Sequence, residues 1–130
     1  MTETIELSID SKIEFVELVA SVTKNVTAKI GFDEDDASWI ELAVHEAVIN
    51  AIMHGNKSAA DKQVDVRFVT EQDAVTVYIR DYGEGFDPAA RSEGAGITGM
   101  RERAALVNGT ITFDSEAGMG THVRVEVPYS

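Results

Sequence analysis

Glu46 and Asn50 stand four residues apart in His45-Glu46-Ala47-Val48-Ile49-Asn50, a spacing that sets a carboxylate and an amide on one side of a helix, a turn apart. A carboxylate so placed could accept a proton from an attacking hydroxyl or water, a role worth ~10²–10⁴ in rate. The amide oxygen of Asn50 suits a hard cation such as Mg²⁺, which takes few protein ligands and keeps several waters. His54 continues the stripe. It could hydrogen-bond a phosphate or an ordered water, or equally sit at the helix C-terminus and favour its dipole. Taken alone, the Glu and Asn could also lie on a solvated helix edge.

A second polar stretch, Asp81-Tyr82-Gly83-Glu84-Gly85-Phe86, follows a strand-like run. A carboxylate there could accept a hydrogen bond from an exocyclic amine such as adenine N6, while Gly83 and Gly85 let a flat ring lie close to the main chain. Gly94 and Gly96 precede a helix whose first amides are unsatisfied, a plausible phosphate cradle. An Asp-Gly turn is commonplace by itself. Joined, the stretches read as one nucleotide site, with Glu46 and Asn50 at the phosphate end and Asp81 at the base end.

The elements that must position these groups follow from periodicity. Ile5, Leu7 and Ile9 alternate with polar residues, as in a half-buried strand. Ser11 and Glu14 form a capping box opening a helix to about Ile30, stopped by Gly31. On that helix Phe15, Leu18, Val19, Val22 and Val26 make an apolar stripe, read as core or in part as a partner-facing surface. Asp33, Glu34, Asp35 and Asp36 precede a second helix, from Ala37 to about His54, and favour its N-terminal dipole. Its broad apolar face is Ile40, Ala43, Val44, Ala47, Val48 and Ala51; Leu42, Ile49 and Met53 form another, with Glu46, Asn50 and His54 between. A carboxylate flanked by apolar surface costs free energy unless something pairs with it, a local conflict expected at a functional site. Val64, Val66 and Phe68, a Glu71-Gln72-Asp73 turn, then Val75, Val77 and Ile79 read as a β-hairpin. Residues 82–99 form a Gly-rich loop, a short helix runs from about Ile97 to Val107, and two strands follow, around Ile111 and Phe113 and around Val123, Val125 and Val127. This order suits three helices over one face of a mostly antiparallel sheet.

The 130 residues, 44% of them hydrophobic, predict one domain. Eleven Lys and Arg stand against 23 Asp and Glu, for a formal charge of −12. Such a chain repels polyanions, so direct nucleic-acid binding is not expected, and a phosphate-bearing ligand would need a divalent cation, Mg²⁺. Cysteine is absent, which excludes disulfides and thiolate metal sites. The N-terminus has no signal-peptide pattern and no segment approaches ~20 apolar residues. The expectation is a soluble cytoplasmic protein without membrane partners.

Glu46 with Asn50, Asp81-x-Gly83-x-Gly85, Gly94-x-Gly96 and Gly118-Met119-Gly120-Thr121 resemble, in order and spacing, the ATP-binding boxes of the GHKL superfamily (gyrase, Hsp90, histidine kinase, MutL). Over essentially the whole chain the resemblance is to anti-sigma factor serine/threonine kinases. It implies a Bergerat fold, an α+β two-layer sandwich with three helices on one face of a mostly antiparallel mixed sheet, holding ATP between helix, Asp81 loop and lid. It further implies that Glu46 is the catalytic base, that Asn50 binds Mg²⁺, that Asp81 reads adenine and that Thr121 supports the Asp81 end. His54, Gly83, Gly85, Phe86, Gly94, Gly96 and Ile97 complete the nucleotide-binding set. The implied partners are an anti-anti-sigma (STAS-type) protein, phosphorylated on serine or threonine, and a sigma factor; homodimers are usual in the family. Two departures stand out. The segment between Gly85 and Gly94 has eight residues, with Arg91 its one basic member, and Gly96-Ile97-Thr98-Gly99-Met100-Arg101-Glu102-Arg103 is closer to certain two-component sensor kinases. The alternatives are therefore a nucleotide-gated binding module without phosphotransfer and a detached sensor-kinase ATPase domain.

Overall fold

The structure, a computed structural model, describes residues 2–56, 61–83, 97–116 and 120–129. Strands β1 (Glu3–Asp10), β2 (Gln63–Thr70), β3 (Ala74–Arg80), β4 (Thr110–Glu116) and β5 (Gly120–Pro128) form a sheet of order β1-β2-β3-β5-β4. Helices α1 (Val16–Ile30), α2 (Glu34–Asn50) and α3 (Ile97–Ala105) complete the α+β architecture. A mostly antiparallel mixed sheet was the expectation; among the described residues all four strand pairings are antiparallel. Two of the four connections between successive strands, β2–β3 and β4–β5, are hairpins, each of which reverses chain direction.

Register follows from alternation, because a one-residue slip would turn every apolar side chain to the wrong face. Leu7, Val66, Ile79, Val123 and Phe113 align in one row across the five strands, and Ile5, Phe68, Val77, Val125 and Ile111 in the next. Val19 and Val26 of α1, Ile40, Val44 and Val48 of α2, and Met100 of α3 join the buried sheet residues in one core cluster. Each such side chain contributes roughly 1.5–3 kcal/mol when fully buried. The opposite sheet face is polar and carries Ser8, Asp65, Arg80, His122 and Asp114 in one row.

The helices differ from expectation at their starts. Ser11 does not act in a capping box: its hydroxyl donates to the Lys62 carbonyl oxygen at 2.6 Å, and a 3-10 turn at Ile13–Phe15 leads into α1 instead. Leu18, placed in the apolar stripe, is 56% exposed. Gly31 does stop α1, with φ 102 and its N–H donating to Thr27 and Ala28 oxygens. α2 begins at Glu34 rather than Ala37, because Asp33 caps it by accepting the Asp36 N–H at 2.8 Å. The broad face of α2 is buried, whereas Leu42 and Met53 on its second face are exposed. Past Asn50 the helix widens into a single π turn, Ala51–Gly55, closed by the Asn56 N–H donating to the Ala51 oxygen at 2.8 Å.

Candidate functional site

β3 delivers Asp81 to the edge of the core with only 4% of its surface exposed. Its main chain still follows the sheet, the N–H donating to the Thr121 oxygen at 3.0 Å. The carboxylate Oδ1 accepts two main-chain donors, Gly83 N–H at 3.0 Å and Thr121 N–H at 3.2 Å. Burial pushes the Asp81 pKa upward, and the two amides, with His122 and Lys62 at longer range, oppose that shift without cancelling it. Among the described residues both bonds go to Oδ1, which suits Oδ2 to a ligand donor such as an adenine amine.

Gly120 makes this closeness possible. Its φ is +78, and a Cβ there would stand 2.3 Å from the Asp81 carbonyl oxygen; a residue without a side chain meets both demands. Thr121 follows, 4% exposed, and both its N–H and its oxygen bond Asp81.

Asn56, 2% exposed, ties this strand end to the end of α2. Its Oδ1 accepts the Tyr82 N–H at 2.8 Å, while its Nδ2 donates to Ser11 Oγ at 2.9 Å and to the Gln63 oxygen at 3.1 Å. Tyr82 itself lies half outside: the Arg80 guanidinium stacks over its ring at 4.7 Å and its hydroxyl donates to Asp65.

Glu46 and Asn50 are half-buried on α2, a turn apart, on a helix that packs against β3, β5 and α3. Among the described residues no three His, Cys, Asp or Glu side chains group as a metal site. The Asn50 amide oxygen fits a different arrangement, a Mg²⁺ that keeps waters and phosphate oxygens as its other ligands. Gly83 is buried beside Asp81. His54 lies in the π turn and Ile97 opens α3, but their side chains are outside the described set. Gly85, Phe86, Gly94 and Gly96, Arg91 and the eight-residue lid, and Gly118 and Met119 also lie outside the described residues.

The family profile described as a histidine kinase-like ATPase domain matches residues 9–125. The chain belongs to this family. As an ATPase domain it is 30% identical over 119 residues to the serine-protein kinase RsbW of Bacillus licheniformis, covering 92% of this chain and 70% of that protein. It is 33% identical over 107 residues to the signal transduction histidine-protein kinase/phosphatase DegS of Bacillus subtilis (strain 168), covering 78% of this chain. The ATPase domain spans just 28% of DegS. Among solved structures, the histidine kinase domain of the Erythrobacter litoralis blue-light activated histidine kinase is similar with a TM-score of 0.66 at 20% identity, over 93% of this chain and 62% of that one. That likeness establishes the fold. These relatives make the ATPase domain kinase-like and ATP its nucleotide class. No helix among the described residues is long and apolar enough to cross a membrane.

Asn56 and Ser11 were not expected at the site. Both are small polar residues at element ends, where solvated turns are usual, and their burial depends on tertiary contacts 45 and 51 residues away in sequence. One signal was available: Asn56 directly follows His54-Gly55 at the end of the polar stripe.

Proposed function

We propose that this ATPase domain is an ATP-dependent protein kinase acting on a serine or threonine of a STAS-type anti-anti-sigma protein, and that it binds a sigma factor when that partner is phosphorylated. The observation that carries the reading is the similarity to a serine-protein kinase along 92% of the chain and 70% of the relative. In this reading the kinase works in the cytoplasm as a homodimer, in keeping with the resembled family.

In this reading Asp81 accepts the adenine amine, with Gly83 and Thr121 amides holding its carboxylate in orientation. Asn50 would hold Mg²⁺, which when bound offsets negative charge on the phosphates; with a chain charge of −12 that offset is needed. Glu46 takes the proton of the attacking hydroxyl as its oxygen bonds to the γ-phosphorus and ADP leaves. His54, Gly85, Phe86, Gly94, Gly96 and Ile97 belong to the nucleotide-binding set of the same reading.

A second reading, the ATPase domain of a two-component sensor kinase, is favoured by the 33% identity to DegS. Incubation with radiolabelled Mg²⁺-ATP and a candidate STAS-type protein separates the two. Acid-stable label on the partner is expected; acid-labile phosphohistidine on another protein would favour the second. Nucleotide binding without any transfer would leave a nucleotide-gated binding module. Absence of Mg²⁺-ATP and Mg²⁺-ADP binding in calorimetry would overturn all three.

A further inference from the structure

Three consecutive amides at the end of β3 are each taken by a different partner. Asp81 N–H goes to the Thr121 oxygen, Tyr82 N–H to Asn56 Oδ1 and Gly83 N–H to the Asp81 carboxylate itself. The first comes from the neighbouring strand and the third is local. The second alone of these three is supplied from the segment that continues α2, the helix bearing Glu46 and Asn50.

Asn56 reaches that amide because its own position is determined on the other side. Its Nδ2 donates to Ser11 Oγ and to the Gln63 oxygen, and Ser11 Oγ in turn donates to the Lys62 oxygen. The amide side chain thus uses acceptor and donors together, bridging the end of α2, the residue after β1, the start of β2 and the loop after β3. Its burial makes each bond matter, since a buried amide that loses a partner has no water to replace it. The π turn has the same consequence for the main chain, and such turns are frequent at functional sites.

We infer that Asn56 is a positioning residue for base recognition: by holding the Tyr82 amide it sets the Asp81 carboxylate against the base and couples that end of the site to the helix carrying the phosphate-end groups. This rests on the reading of Asp81 as the adenine acceptor. Asn56 touches no nucleotide and acts through residues 81–83. Its specific signature is therefore selectivity between bases. A carboxylate aimed at an exocyclic amine favours adenine, whereas guanine presents a carbonyl oxygen at that place, so slackening residues 81–83 lowers affinity for ATP and leaves weaker GTP binding nearly as it was.

The test is calorimetric titration of the full chain with Mg²⁺-ATP and Mg²⁺-GTP, with folding checked by denaturant titration. Asn56→Ala is expected to weaken ATP about tenfold and to lower the ATP-to-GTP affinity ratio by a similar factor. Asn56→Asp, which keeps an oxygen for the Tyr82 N–H but loses both Nδ2 bonds that anchor it there, is expected to lower the ratio too, by less than Asn56→Ala, while losing stability. A folded Asn56→Ala with the wild-type ratio, or with equal losses for both nucleotides, would overturn the proposal and leave Asn56 a plain structural residue. If Asn56→Ala does not fold, Ser11→Ala, which removes one anchor of the same side chain, is read instead: a reduced ratio supports the proposal and an unchanged one overturns it. Asp81→Asn serves as the reference, because unaltered ATP affinity in that variant would sink the adenine reading itself.

Discussion

The base end and the phosphate end of the candidate site are built by opposite means. Asp81 is 4% exposed, its amide and those of Tyr82 and Gly83 are committed, and Gly120 is packed so tightly that a methyl group there would collide with the Asp81 oxygen. Glu46 and Asn50 are half-buried side chains on a helix, a turn apart. One end is specified by a main-chain network assembled from β3, β5 and the end of α2; the other projects two side chains from a single docked helix. Recognition of a fixed, flat base benefits from a rigid acceptor, and chemistry at the other end benefits from side chains whose spacing the helix sets in advance.

Substitutions at the two ends should accordingly fail in different ways. The largest effect is expected from Glu46→Gln: phosphotransfer falls by ~10²–10⁴, while calorimetry still finds Mg²⁺-ATP bound. Wild-type turnover in that variant would remove Glu46 as the base. Gly120→Ala comes next. Its positive φ alone costs roughly 1–3 kcal/mol, the clash with the Asp81 oxygen adds to that, and denaturant titration should register the loss even without nucleotide. A neutral outcome would show that the base end does not depend on the main-chain packing at Gly120 and erase the contrast.

Asp81→Asn should weaken ATP binding by ~1–3 kcal/mol, with an opposite sign on the empty protein. Burial raises the Asp81 pKa in the folded chain, so the folded state holds this proton to higher pH than the unfolded state does. Stability from the group is full below the unfolded aspartate pKa and is lost as pH rises through the folded value. The smallest effect follows from this. Denaturation followed from acid to neutral pH should show Asp81→Asn flattening that decline and leaving the nucleotide-free chain slightly more stable at neutral pH. A wild-type profile unchanged by the substitution would mean that Asp81 carries no desolvation cost.

The same contrast divides what could be read from the sequence. Strand alternation at Val64–Phe68 and Val75–Ile79 placed the hairpin, and the spacing of Ile40, Val44 and Val48 placed the buried face of α2, because both depend on local periodicity. Glu46 and Asn50 were legible for the same reason. Asp81 and Thr121 belong to separate sequence motifs, and the sheet brings them within hydrogen-bonding distance through the β3–β5 pairing. The hydrogen bonds of Ser11 and Asn56 were hidden. A serine three residues before a glutamate satisfies the capping-box pattern whether or not its hydroxyl is claimed elsewhere, and here the Lys62 oxygen claims it. Leu18 fitted an apolar stripe by spacing, yet it is 56% exposed, because spacing marks a face of a helix and not how far its neighbours cover that face.

The π turn at Ala51–Gly55 sets the phase at which the chain leaves α2. Such a turn holds one residue more than an α-helical turn would, and each residue of an α-helix advances the azimuth by about 100°. Wound instead as an ordinary α-helix, the same residues would swing residue 56 by about that angle, away from Tyr82, Ser11 and Gln63. Glu46 and Asn50, upstream of the turn, would keep their places. The chain would then retain an intact phosphate-end helix whose terminus no longer addresses the base-end loop, a separation that turns on helical phase alone.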